Sequence, residues 1–183
     1  MLGPARSARP RLVLAAAVLL VAAIAAPTAS ASTSSKGRAA ESLERSIVTE
    51  LNAVRVERAL RPLRPIPQLQ AAAERHSREM LARGYFSHAS PDGGSFSTRV
   101  MRFYRRPRRG RYAVGENLLW RSPSVSASQV VSLWLNSPEH RSILLSPRWR
   151  DVGVGAVHAA SAPGMFGGSP VTMVTADFGV RSP

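Results

Sequence analysis

An α+β fold is what this sequence predicts, and three observations carry it. From about residue 41 to residue 145 apolar residues recur at three- and four-residue spacing, the period of amphipathic helices. From residue 151 onward two runs rich in β-branched residues flank a Pro- and Gly-rich loop, the pattern of a hairpin. In the first of these runs Gly153 and Gly155 fall on one face and leave it bare, so that a helix can lie close against the sheet.

The elements follow in order. Residues 1–31 read as a secretory leader: Arg6, Arg9 and Arg11 precede an apolar run over 12–26, and Ala29-Ser30-Ala31 supplies small residues for cleavage. Fifteen apolar residues fall short of the roughly 20 that cross a bilayer. Residues 32–40, small and polar, are expected to form a disordered tether, and a single domain is expected over 41–183. Leu43, Ile47, Val48, Leu51 and Val54 predict a first helix over about 41–59, stopped by Pro62 and Pro65. A second is predicted from Pro67 to Arg83, with Gly84 as its breaker and Leu69, Ala72, Ala73, His76 and Met80 on one stripe. Phe86 is expected to plug the Ser-, Pro- and Gly-rich loop over 85–93, and Ser97 or Thr98 to start a short helix.

Gly115-Glu116-Asn117 is expected to turn and present one acid. Ser124 or Ser126 should cap a helix that carries Val130, Val131, Trp134 and Leu135 and ends at Asn136. Ser137 should cap the next, with Pro138 at its first position and Pro147 beyond its end. The strands are predicted over 151–157 and 171–178, and His158, at a strand end, should lie on the surface.

The composition bounds the partners. There is no cysteine, so an exported domain of this kind must be held by its packed core. The net charge is +14, and loss of the leader removes three arginines and no acid, leaving about +11 and favouring anionic neighbours. Seven of the thirteen residues over 99–111 are arginines, namely Arg99, Arg102, Arg105, Arg106, Arg108, Arg109 and Arg111, and none is acidic. No nucleic-acid-binding pattern accompanies them, so nucleic acid is not expected; cell-wall polyanions or lipid headgroups suit an exported chain better, and a solvated loop is the plain alternative. The sequence has no GxSxG, HExxH, GxGxxG, P-loop or EF-hand pattern, so no common enzyme class announces itself.

Six phrases occur in order: Leu51-Asn52-Ala53-Val54-Arg55, His76-Ser77-Arg78-Glu79-Met80, FSHASPDG over 86–93, GENLLW over 115–120, WLNSPEHR over 134–141, and DVGVG over 151–155 with Asp177-Phe178-Gly179. Together they resemble the CAP superfamily (cysteine-rich secretory proteins, antigen 5, pathogenesis-related 1) in its cysteine-free bacterial form, over about residues 47–179. The resemblance implies a three-layer α-β-α sandwich with a small, mainly antiparallel sheet. It also implies a cavity in which His76, Glu116 and His140 meet. Read from spacing, His76 could equally be a hydrogen-bonded core histidine, and His88 could line the cavity or bond backbone carbonyls. Eukaryotic members carry two cavity glutamates; here the second position falls on Ser137, with Glu139 two residues on and Asn117 beside Glu116.

Two imidazoles and a carboxylate suit a divalent metal, zinc first, held weakly. The same groups could do acid/base work, although neither a nucleophile nor an oxyanion donor is evident. Three readings follow: a secreted, monomeric binding module for a small apolar or wall-derived ligand, a metal-assisted hydrolase of peptide or cell-wall material, and an envelope protein that adheres to anionic polymers.

Overall fold

The structure is a computed structural model that describes residues 30–182, so the expected leader lies, but for its last two residues, outside the described residues. Helix α1 (Ser30–Glu57) begins earlier than expected and runs through the segment read as a tether. Elongating a nucleated helix adds a hydrogen bond for each residue ordered, and no proline interrupts 32–40. Residues 37–39 are nonetheless exposed, and the packed part of α1 is the amphipathic stretch in which Ile47 and Leu51 are fully buried. After α1 the chain reverses at Ala59, a non-glycine residue at φ +55°, where Leu60 N–H donates to Arg55 O at 2.9 Å. Arg55, itself buried, donates to the carbonyls of Leu144 (2.6 Å) and Ser146 (3.2 Å) and so ties α1 to the end of a helix 89 residues away.

Strand β1 (Arg64–Pro65) pairs in parallel with the start of β3 (Asp151–Ala159). Helix α2 (Pro67–Arg83) starts on its proline and ends where Gly84 adopts φ +68°. Its stripe of Leu69, Ala72, Ala73, His76 and Met80 is buried over β3 and β4 (Val171–Arg181). The close approach expected of Gly153 and Gly155 is present: an added Cβ would stand 2.0 Å from Gln70 N and 2.1 Å from Glu74 N. Helix α3 (Phe96–Met101) lies beside α2 and is capped by Ser95, ahead of the expected Ser97 or Thr98, because the Ser95 hydroxyl accepts from Thr98 N–H. Phe86 does not plug the preceding loop; it is 37% exposed, while Tyr85 packs against the core.

The expected turn at Gly115-Glu116-Asn117 is the middle of a strand, β2 (Tyr112–Arg121), in continuous antiparallel register with β4. Gly115 is small for another reason than turning: the Trp149 ring stands 2.7 Å from where its Cβ would be. Helix α4 (Ala127–Asn136) opens on a capping box of Ser126 and Gln129. Helix α5 (Pro138–Leu144) starts on Pro138; Ser137 holds the cap position, but its side chain makes no cap bond. These two helices pack with α1 on the second sheet face, where Ile47, Val130, Trp134, Leu144, Trp149, Val154 and Phe178 form the main core.

The sheet order is β1-β3-β4-β2, with α2 and α3 on one face and α1, α4 and α5 on the other, a mixed α+β sandwich of three layers. Strand β2 is therefore an edge, between two helical layers.

Candidate functional site at the open edge of the sheet

Side-chain alternation along β2 sends Glu116 to the α2 face and Asn117 to the α5 face. Glu116 is 2% exposed, a carboxylate that burial would penalise unless it is paired. It is paired twice. His88, from the loop after α2, lies with Nδ1 2.8 Å from Oε1, and the guanidinium of Arg99 on α3 contacts Oε2 closely. Because a carboxylate only accepts, His88 carries its hydrogen on Nδ1 and leaves Nε2 as the nitrogen open to a ligand. Arg99 also donates to the His88 carbonyl (3.0 Å) and the Ser90 hydroxyl (3.3 Å), so it fixes both members of the pair.

This corrects the arginine set expected to bind anions. Arg99 is 5% exposed and belongs to Glu116, since the buried face of a short helix turned it inward; Arg102, Arg105, Arg106, Arg108, Arg109 and Arg111 are exposed as expected.

The three residues of the expected trio, His76, Glu116 and His140, come from three separate elements. His76 is fully buried on α2, but its Nε2 is 2.9 Å from the Ser87 carbonyl, so it braces the loop that carries His88. Burial, and then the nearby Arg99 charge, hold its pKa below the ordinary value and keep the ring neutral. His140 comes from the other layer; Asn117 Nδ2 donates to its carbonyl at 3.1 Å. Burial first, and His88 second, hold its pKa below the ordinary value. Glu139 is exposed and does not supply a second cavity carboxylate, while Ser137 is half-buried. Both Glu116 oxygens are engaged, and among the described residues no group of three or more His, Asp or Glu could hold a metal ion. The donor set does not fit zinc.

Sequence reasoning missed Asp177. It stands opposite Glu116 in the β2–β4 register and is fully buried. Burial, then the charge of Glu116, raise its carboxyl well above the ordinary carboxylate range. An acid inside the otherwise uncharged run over 171–180 was the available signal.

Around the His88–Glu116 pair a cleft of about 410 Å³ opens at the edge of β2. His88 and Phe96 line it from one layer, Ile143, Arg148 and Trp149 from the other, and Val114, Gly115 and Glu116 form its floor. The size falls in the ordinary range for small-ligand sites, and the walls are mostly apolar with a few convergent polar groups. The Arg148 guanidinium stacks 4.5 Å from the Trp149 ring at the exposed rim.

The sandwich and the ordered phrases point to one family. The cysteine-rich secretory protein family (CAP) model matches residues 48–176, and the chain belongs to that family. An uncharacterized Bacillus subtilis protein, YkwD, is 30% identical over 132 residues, covering 70% of this chain and 48% of the relative. The uncharacterized membrane protein YlbC of the same organism is 31% identical over 112 residues, 61% of this chain and 31% of its own. The chain thus spans half or less of the length of these curated relatives. Among solved structures, an extracellular SCP-domain protein from Bacillus anthracis aligns with a TM-score of 0.64 at 24% identity, covering 81% of this chain and 43% of the other. An outer surface protein of Borrelia burgdorferi aligns with a TM-score of 0.56 at 18% identity, covering 74% of this chain and 90% of the other. Both likenesses concern the fold.

Proposed function

We propose that this protein is a binding module of the bacterial cell exterior that takes a ligand into the cleft beside His88 and Glu116. One observation carries the reading: His88, held by the buried Glu116 carboxylate through Nδ1, lines an apolar cleft. A polar group fixed in an apolar cavity is what positions a ligand. The location outside the cell is supported by the leader read over residues 1–31 and by the extracellular and outer-surface descriptions of the two structural neighbours. Among the described residues no helix is long and apolar enough to cross a membrane.

The His88–Glu116 hydrogen bond is also the arrangement of an oriented general base, and a turnover assay separates binding from hydrolysis. The test is NMR titration of the protein with soluble muropeptides, with product analysis of the same samples. Shifts at Gly115, Glu116 and Trp149 that are lost in His88→Ala, without cleavage, are expected. Cleavage that needs His88 would replace the binding reading by the hydrolytic one, and shifts confined to other surfaces would overturn both.

A further inference from the structure

The floor of the cleft is a length of sheet edge. Strand β2 pairs with β4 on one side only, and in an antiparallel strand the N–H and C=O of one residue point the same way while those of the next point oppositely. Two bonds set the phase. The Arg111 carbonyl accepts from Ser182 N–H on the β4 side, so odd-numbered residues face β4. The Leu118 carbonyl accepts from the indole of Trp134 at 3.1 Å, so even-numbered residues face away. The main-chain groups of Val114 and Glu116 therefore face away from β4, and both residues line the cleft.

An unpaired edge is a template for another strand, and folds usually cover it. Here the opposite edge is partly covered: β1 pairs with Asp151 and Val152, and the Glu44 carboxylate accepts from Ala156 N–H at 2.9 Å. On β2, Trp134 closes the edge at Leu118, and below it the edge opens on the cleft.

We infer that the cleft binds an extended peptide segment of a protein chain, which adds to β2 as an antiparallel strand opposite Glu116, Val114 and Tyr112 and is acidic at its C-terminal end. This inference rests on the cleft being a binding site, as proposed above. Main-chain pairing supplies affinity, and the apolar walls of Phe96 and Ile143 take alternate side chains. Charge sets the direction. An antiparallel partner runs from Glu116 toward Tyr112, where exposed Arg111, Arg109 and Arg108 immediately precede β2, so carboxylates at its C-terminal end meet guanidinium groups.

The test uses an acetylated hexapeptide of alternating threonine and valine that ends in two glutamates, titrated into the whole protein. Slower amide exchange at Val114 and Glu116 is expected on binding. Methylating alternate peptide amides removes strand donors and should weaken binding by about tenfold. Moving the two glutamates to the N-terminal end should weaken it severalfold, and Val114→Pro, tolerable on an edge strand, should act like the methylated peptide. Equal binding of parent and methylated peptides would overturn the strand pairing while leaving the cleft a binding site. Absence of binding by the parent peptide would overturn this inference alone, because the muropeptide titration decides the other. The methylated peptide keeps the test valid if Val114→Pro does not fold.

Discussion

Asp177 lies directly across from Glu116 on the neighbouring strand, both buried, and the guanidinium that reaches the pair is that of Arg99. Glu116 has His88 and Arg99 as partners, whereas Asp177 is buried beside it, and burial and then the Glu116 charge raise the Asp177 carboxyl well above its ordinary value. Asp177 is the neutral acid.

This makes stability fall as pH rises. Below the ordinary value of 3.8 folded and unfolded chains both hold the Asp177 proton; above it the unfolded chain ionises first, and the native state loses ground until Asp177 itself titrates. Asp177→Asn, isosteric and neutral, is expected to raise Tm at pH 7–8 and to flatten the pH dependence above pH 4. Glu44, pushed up to about 7 mainly by burial, adds a slope of the same sign between pH 4.5 and 7, so the quantity to read is variant minus wild type in urea unfolding at several pH values. A variant less stable than wild type at pH 8 would show that Asp177 is ionised.

His88 rather than His76 is the histidine that faces the cleft. Zinc calorimetry on wild type, His76→Ala and His88→Ala tests this. No zinc heat is expected from any of the three, because the described residues offer no three-ligand group, and a wild-type heat abolished by His76→Ala would reinstate the first trio.

At Ala59 a side chain occupies a left-handed backbone conformation, which costs an L-residue about 1–2 kcal/mol. Glycine relieves that strain and returns part of the gain as unfolded-chain entropy. Ala59→Gly should stabilise the protein by about 0.5–1 kcal/mol, read as a higher urea midpoint at unchanged m.

Gly155 is fixed by contact. A Cβ there meets Glu74 N at 2.1 Å, and that atom belongs to the α2 backbone, which cannot rotate away. Gly155→Ala should cost about 1–3 kcal/mol or more, read as a lower urea midpoint.

The six exposed arginines over 102–111 should hold the protein on anionic wall polymer by screened electrostatics. Replacing Arg105, Arg106, Arg108 and Arg109 by Ser should release it into the supernatant, and salt on the order of 0.5 M should do the same to the wild type. Retention unchanged by either would leave the segment a solvated loop.

Read alone, the sequence determined whatever depends on local period and local punctuation. The α2 stripe, its Pro67 start and Gly84 stop, the Ser126 cap, and the bare face of Gly153 and Gly155 were legible because each is set by neighbours a few residues away. The ordered phrases from Leu51 to Gly179 made the family legible too. Tertiary structure decided the rest. Gly115-Glu116-Asn117 became strand because a ten-residue register with β4 outweighs the turn tendency of one glycine, whose smallness serves Trp149. Arg99 left the arginine run because a buried carboxylate seventeen residues away needed a cation, and His88 displaced His76 because the loop, not the helix, reaches the sheet edge. Asp177 could be matched to Glu116 only once two strands far apart in the chain lay side by side. A charged group's partner is chosen by distance in space, and periodicity along the chain does not encode it.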